Sequence, residues 1–466
     1  MDSDIPDRIK DGYGLNQHLI DRAHEDGIDT IITCDNGIAA AKEIEYGKAL
    51  GMTIIVTDHH EVPYKENEAG RRYILPPADA VVDPRQEGCE YPFKGLCGAA
   101  VAYKFVEALC EANGQDVADL DYLLENVAIA TVADVMDLTE ENRILVKQGL
   151  EMLKRTSNLG LRALIQCIGL EGKKIQAYHI GFILAPCLNA SGKLDTAKRA
   201  LALLRAKTER EADMLAGDLK ALNESRRDMT DRVVDEAMAK VEQTDIRGDK
   251  VLVIYLPDCH ESLAGLVAGR VRENYYRPVF VLTDSEDGVK GSGRSIESYS
   301  MYEELTGCGD LLTKFGGHPM AAGLSLDKEN VEKFKRRLND QCTLSEEELT
   351  EKVVIDMELP FAAITEQFIE ELEYMEPFGK GNTKPVFAAR GVVMQHVKII
   401  GKNKNVAKAT AIDAAGNRME AICFHDAQEF AERCERNNGK MSITFYPGIN
   451  EFRGERKIQI VITHYR

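Results

Sequence analysis

A chain of 466 residues can form two to four domains, each with its own core, and 44% hydrophobic with 29% charged residues is the composition of an ordinary soluble globular protein. A formal net charge of -19 excludes a generally basic protein that coats nucleic acid, and no apolar run reaches the roughly 18 to 20 residues of a membrane span. Eleven cysteines without any C-x-x-C, behind a start of Met1, Asp2, Ser3 and Asp4 with no apolar signal segment, lead to the expectation of reduced thiols in a cytoplasmic protein.

Residues 29–34 (DTIITC) are a short β-branched run closed by Asp35, Asn36 and Gly37, a turn and capping sequence. Residues 38–50 have helical composition, Gly51 is a stop, and the apolar run 52–57 reads as the next strand. Such a βαβ unit makes the two strands parallel, with both C-terminal ends on one side of the sheet, so Asp35 and Asp58 are expected to face one crevice. Asp58, His59 and His60 stand together at the tip of the second strand. Open α/β sheets bind substrates at that edge, and one carboxylate with two imidazoles there asks for a divalent metal.

A third strand over 78–82 ends at Asp83 and Pro84, residues 98–113 read as an amphipathic helix, and the apolar run 127–132 ends in Ala133 and Asp134. Thr139, Glu140 and Glu141 open a further helix, with acids where the helix dipole favours them. One acid after an apolar run is most often a cap or a loop residue. Three of them, Asp35, Asp58 and Asp134, one beside two histidines, favour a functional set.

Residues 207–243 contain no proline and one glycine, and Leu215, Leu219, Leu222, Met229, Val233 and Ala237 recur at spacings of three, four or seven. This predicts one helix of about 55 Å, or two helices broken at Gly217. A second α/β domain follows, with strands over 251–256 and 278–283 around a helix over 263–273. Two glycine-rich segments come next: Gly291, Ser292, Gly293, Arg294 and Ser295, then Gly316, Gly317 and His318 with Ala321, Ala322 and Gly323. Read as turns, they suit phosphate, because small residues let backbone N–H groups approach an anion and Ser, Arg and His add donors. Neither has P-loop spacing, and plain chain reversals are at least as good a reading of each taken alone. Cys259 beside His260 has no second ligand pair, which favours a packed thiol and a loop histidine over zinc.

Residues 341–352 are polar and acidic, a linker, and 376–385 (EPFGKGNTKP) are turn-rich. Alternating runs follow at 392–400, 407–413, 418–424, 441–446 and 458–463, with one helix over 425–436 between the third and fourth, the pattern of an OB-fold barrel. Residues 377–466 carry 15 Lys and Arg against 8 Asp and Glu, a net +7 that leaves -26 on the remainder, which hints at a polyanionic partner. Lys398, Lys402, Lys404 and Lys408 with Phe424, Phe445, Tyr446 and Phe452 offer cations and rings for single-stranded nucleic acid, unless those rings fill the barrel.

Seven segments, in this order and spacing, carry a family resemblance: residues 5–16 (IPDRIKDGYGLN), 33–38 (TCDNGI), 58–60 (DHH), 130–136 (ATVADVM), 184–194 (LAPCLNASGKL), 291–295 (GSGRS) and 315–323 (FGGHPMAAG). Over essentially its whole length the chain resembles the RecJ family of single-strand-specific exonucleases, within the DHH phosphoesterase superfamily. The resemblance implies an α/β architecture of four parts: a DHH parallel-sheet domain at 1–140, a helical connector at 141–247 with its long helix at 207–243, a DHHA1 α/β domain at 248–342, and an OB-type β-barrel at 353–466. It implies a 5′-to-3′ exonuclease of DNA repair and recombination that hydrolyses single-stranded DNA to 5′-mononucleotides with Mn²⁺ or Mg²⁺, without a covalent enzyme intermediate. Asp35, His59 and Asp134 resemble the family's metal ligands, Asp35 bridging two ions, and Asp58 and His60 resemble catalytic partners near the scissile phosphate. Arg8, Ser292, Arg294, Ser295, Gly316, Gly317 and His318 resemble contacts to the DNA backbone and its 5′ end. The partners implied are single-stranded DNA and a single-strand-binding protein or helicase, with no membrane and no small-molecule cofactor.

The family's first motif, an aspartate-rich D-x-D segment on an earlier strand, belongs upstream of the match at 5–16. Asp2 and Asp4 form a D-x-D, but they follow no strand and lie close to Arg8. The expectation is a chain lacking that segment, in which one ion keeps Asp35, His59 and Asp134 while the other keeps Asp35 alone. Two further readings stay open at this level: a catalytically impaired DHH protein that binds single-stranded nucleic acid, and a phosphohydrolase of small oligonucleotides or pyrophosphate. The last does not account for the long helix or the basic barrel.

Overall fold

The computed structural model describes residues 2–6, 14–67, 70–194, 197–286, 288–401, 404–424, 427–452 and 454–466. Arg8, Lys402 and the side chain of Phe452, all expected to meet nucleic acid, lie outside that description. The chain divides into two compact units, one of residues 13–157, 170–185 and 353–466, the other of 1–12, 158–169 and 186–352.

In the first unit, the strands Thr30–Ile32, Thr53–Thr57 and Ala80–Val82 form a parallel sheet in that order, with Thr30 opposite Thr53 and Ile55 opposite Ala80. Ile54 and Val56 are fully buried against Ile20 of the helix Gln17–Glu25 and Ile44 of the helix Ala41–Ala49. The apolar run 127–132 proves to lie in a helix, Leu124–Ala133, so the strand–helix alternation stops at the third strand. A continuous apolar run does not distinguish a buried strand from a buried helix. Here Leu124 and Val127 pack with Val101 of the helix Gly98–Ala112 and Leu145 of the helix Glu140–Leu153.

The C-terminal part of this unit is a barrel of Phe387–Ile400, Val406–Ile412, Arg418–Cys423, Lys440–Phe452 and Glu455–Tyr465. It closes because Phe387–Ile400 pairs with both Val406–Ile412 and Lys440–Phe452, and the helix Ala427–Arg436 follows the third strand, as in an OB fold. Phe445 is fully buried in its core, so that ring fills the barrel. Tyr446 packs edge-on against Phe378 under Lys384, and Lys408 is paired with Glu420 at 2.8 Å. Phe424, Lys398 and Lys404 remain exposed. The turn-rich segment before the barrel grips the N-terminal domain. The Leu138 N–H donates to Lys380 O at 2.7 Å, Arg143 Nη2 donates to Tyr374 O at 2.8 Å, and Lys380 Nζ lies 3.1 Å from Asp137 Oδ1.

The second unit contains the long helix, Glu209–Gln243, 35 residues without a break at Gly217, started by Thr208 Oγ1 accepting from the Glu211 N–H. Its sheet runs in the order Leu252–Tyr255, Val279–Ser285, Gly288–Arg294, Ala321–Leu326, Leu312–His318, the first pair parallel and the rest antiparallel. The first glycine-rich segment expected as a phosphate-holding turn is therefore an inner strand whose backbone serves the ladder, and the second is the end of the edge strand Leu312–His318 and the start of Ala321–Leu326, joined by a turn at Pro319 and Met320. A Cβ on Gly291 would come within 2.4 Å of Leu282 Cδ2, and one on Gly293 within 2.7 Å of Phe280 Cε1 and 2.8 Å of Met301 Sδ. These glycines make room for core side chains. Gly293→Ala is expected to cost about 1–3 kcal/mol by overpacking, read as a lower urea midpoint. Cys259 is buried and His260 caps the helix Glu261–Tyr275, its Nδ1 accepting from the Ser262 N–H, so the pair serves packing and capping.

Candidate metal centre

Each of the three parallel strands delivers an acid at its C-terminal end: Asp35, Asp58 and Asp83. The pairing of the strands continues into the site, with the Asp35 N–H donating to Thr57 O at 3.0 Å and the Asp58 N–H to Val82 O at 3.1 Å. Asp35 has a left-handed backbone, φ 62°, a conformation Asp tolerates better than most residues. Its carboxylate lies over Gly98, the first residue of the helix Gly98–Ala112, where the dipole favours negative charge.

Asp58 is buried and fully engaged. Its Oδ2 accepts from the Ile38 N–H at 3.0 Å, and its Oδ1 from the His59 N–H at 2.8 Å and from His60 Nδ1 at 2.7 Å. Burial alone would raise this carboxyl, but the hydrogen bonds from His60, Ile38 and His59 outweigh it and hold Asp58 below the usual range. The same hydrogen bond raises the His60 imidazole above its ordinary value. With Nδ1 held by Asp58, His60 presents Nε2 from a side chain that is mostly exposed.

His59 is buried, and neither of its nitrogens has a hydrogen-bond partner among the described residues. Yet His59 Nε2 lies 3.0 Å from Asp35 Oδ1 and 3.5 Å from Asp134 Oδ2. Asp35, His59 and His60 also each bring one donor atom to within 4.8 Å of the others. Close donors without hydrogen-bond alignment are what a cation requires. Asp134 adds to this: it caps the C-terminal end of the helix Leu124–Ala133, against the dipole, and Val135 after it adopts φ 55°, a strained conformation for a β-branched residue. Burial and then Asp35 raise the Asp134 carboxyl. Two carboxylates beside a buried imidazole without hydrogen-bond partners suit Mn²⁺ or Mg²⁺, which take oxygen and, for Mn²⁺, nitrogen donors. The residues present fit a divalent ion.

Two neighbours of this centre were not singled out by the sequence. Asp83 is buried with Oδ2 unpartnered, its Oδ1 accepting from the Arg85 N–H at 2.8 Å, and burial pushes its carboxyl up to about 6. It too closes an apolar strand, which was the available signal. Lys380, from the segment before the barrel, is near enough to lower the Asp134 carboxyl, and no local pattern marks it.

Of the expected nucleic-acid contacts, the strand register brings five described residues to one part of the second unit's sheet: Ala321 lies opposite both Arg294 and His318, Ala322 opposite Gly317, and Gly323 opposite both Ser292 and Gly316. Arg294 is partly buried and donates from Nη1 to Gly293 O, with burial and the nearby Arg272 lowering its pKa. Ser295 differs from the rest, since its fully buried hydroxyl donates to Tyr299 O at 2.5 Å. Of the D-x-D at the start, Asp4 is paired with Lys198 at 2.7 Å.

Three family models match the chain: the DHH family N-terminal domain at residues 1–131, the DHHA1 domain at 248–344 and the RecJ OB domain at 355–464. The chain is 38% identical over 467 residues to the single-stranded-DNA-specific exonuclease RecJ of Bacillus subtilis, covering 99% of this chain and 57% of that protein. It is 33% identical over 480 residues to the protein of the same name from Salmonella typhimurium, covering 98% and 81%. A crystal structure of RecJ in complex with Mn²⁺ from Thermus thermophilus superimposes with a TM-score of 0.78 at 26% identity, over 97% of this chain and 63% of that one. The chain thus spans less than two thirds of the length of the Bacillus relative and of the Thermus structure. With one third of its residues identical across four fifths of the Salmonella protein, and with DHH, DHHA1 and OB domains in that order, the chain belongs to the RecJ family.

Proposed function

We propose that this chain is a metal-dependent exonuclease that removes 5′-mononucleotides from single-stranded DNA in the 5′-to-3′ direction, acting in the cytoplasm. The observation that carries this reading is the meeting of Asp35 Oδ1, His59 Nε2 and Asp134 Oδ2 without hydrogen-bond partners for the imidazole. Asp35, His59 and Asp134 would hold one ion, and Asp35 would face a second. A divalent ion there supplies Lewis-acid activation of water and of the phosphoryl oxygens. Asp58 acts as a positioning residue: both its oxygens are occupied, and its bond to Nδ1 fixes the orientation of His60. His60 then offers Nε2 to a phosphate oxygen or a transferring proton. Ser292, Arg294, Gly316, Gly317 and His318 serve the strand's backbone, Arg294 as the cation. Cysteines without a disulfide, such as Cys97, Cys187 and Cys308, suit a reducing compartment.

The test is purified chain with Mn²⁺ and end-labelled single-stranded DNA. Mononucleotide release is expected, stopped by a chelator and lowered on the order of 10³-fold by Asp134→Ala, the scale of a lost metal contribution of several kcal/mol. Tight strand binding without release, at any Mn²⁺ concentration, would overturn the hydrolytic reading.

A further inference from the structure

We propose that Tyr178 and Phe182 form a stacking platform for a nucleobase of single-stranded DNA beside the helix that carries Asp134. This rests on the proposed function and names a part of its substrate site.

Residues 177–184 turn their aliphatic side inward: Ala177, Ile180 and Leu184 are buried. Tyr178 and Phe182 point the other way, 59% and 69% exposed, four residues apart on one face. Their rings are stacked, with centroids 4.8 Å apart and an interplanar angle of 28°. Two large rings held parallel in water lose burial without a packing reason, whereas a parallel exposed pair is the shape that accepts a third flat ring. The backbone beneath them is a π-turn, Ile180–Leu184, a rare departure from the α-helix that occurs often at functional sites.

The pair sits on a segment that packs against the helix ending at Asp134. A Cβ placed on Gly181, between the two rings in sequence, would lie 3.5 Å from Val132 Cγ1, so the π-turn packs directly on the helix Leu124–Ala133 two residues before Asp134. Val135, exposed in its strained conformation, follows. Lys173, exposed and without an ion pair among the described residues, stands near His179, whose imidazole is lowered by burial and then by that ammonium. A ring pair near a cation, on a segment packed against the helix ending at Asp134, matches a nucleotide: base on the rings, phosphate toward charge. A protein partner would need a wider apolar surface.

The chain has no tryptophan, so Phe182→Trp creates a unique fluorophore on an exposed position. In metal-free buffer, oligothymidylate is expected to quench it, while an abasic phosphodiester strand of equal length and charge leaves it unchanged. Unmodified chain is expected to bind the abasic strand about 10-fold more weakly than oligothymidylate, and Phe182→Ala to lose about 10-fold in oligothymidylate affinity with Mn²⁺ binding unaltered. If unmodified chain binds both strands equally and Phe182→Ala is silent, the platform is wrong while the exonuclease reading stands. If unmodified chain binds no strand, both fall.

Discussion

Asp35→Asn is expected to lower Mn²⁺-supported strand hydrolysis by about 10³-fold or more while leaving the fold intact. The substitution keeps the side-chain volume, and Asn accepts the left-handed backbone, φ 62°, that this position requires. What it removes is a carboxylate 3.0 Å from His59 Nε2. Without metal, the loss should be neutral or slightly stabilising, because burial and then Asp35 raise the neighbouring Asp134 carboxyl, so removing that charge relieves repulsion. With metal the order reverses. A ligand that binds only the folded state stabilises it by RT ln(1 + [L]/Kd), about 2.7 kcal/mol at 100-fold excess over Kd, and the variant should lose most of that gain. Thermal melting with and without Mn²⁺, run beside the hydrolysis assay, checks both halves. A variant that still melts higher in Mn²⁺ and still cleaves would take Asp35 out of the ligand set.

Gly98→Ala should damage the same centre from 63 residues away in sequence. A Cβ on Gly98 would fall 2.5 Å from both Cβ and Oδ1 of Asp35 and 2.7 Å from its Cα. Such approaches are not tolerated, so either Asp35 or the start of the helix Gly98–Ala112 must shift. Overpacking of this kind costs about 1–3 kcal/mol, and a catalytic group displaced by about 1 Å loses on the order of 10² in rate. The expected result is a lower urea midpoint together with weaker Mn²⁺ dependence. Gly269→Ala serves as the control, because nothing lies within 4 Å of its added Cβ in the helix Glu261–Tyr275, and there helix propensity favours Ala by about 1 kcal/mol. Equal behaviour of the two variants would mean that Gly98 does not make room for Asp35.

Much of the molecule is written in local pattern. The βαβ spacing around residues 29–57 determined a parallel pair, and parallel strands must share an edge, so Asp35 and Asp58 could be placed in one crevice before any coordinates. A long helix over 207–243, though not its continuity at Gly217, and the presence of the barrel strands follow from periodicity in the same way, since solvent sorts one face of each element from the other. Local pattern fails where a contact is made by distant chain. The run 127–132 is helical because helices from 98 and 140 enclose it, and apolar composition alone is silent about that. The glycines at 291 and 293 read as turns because their neighbours are small and polar, whereas Leu282 and Phe280 on the adjacent strand are what exclude a side chain. Division of labour inside the D-H-H triplet was equally hidden. The backbone N–H of Ile38, reached only by the crossover, helps saturate Asp58, leaving it to hold His60 while His59 turns toward Asp35 and Asp134. Residue types and strand order thus pointed to a candidate metal centre at this edge; which donor atoms converge there was decided by tertiary contacts, because hydrogen-bond capacity is consumed by neighbours in space and not in sequence.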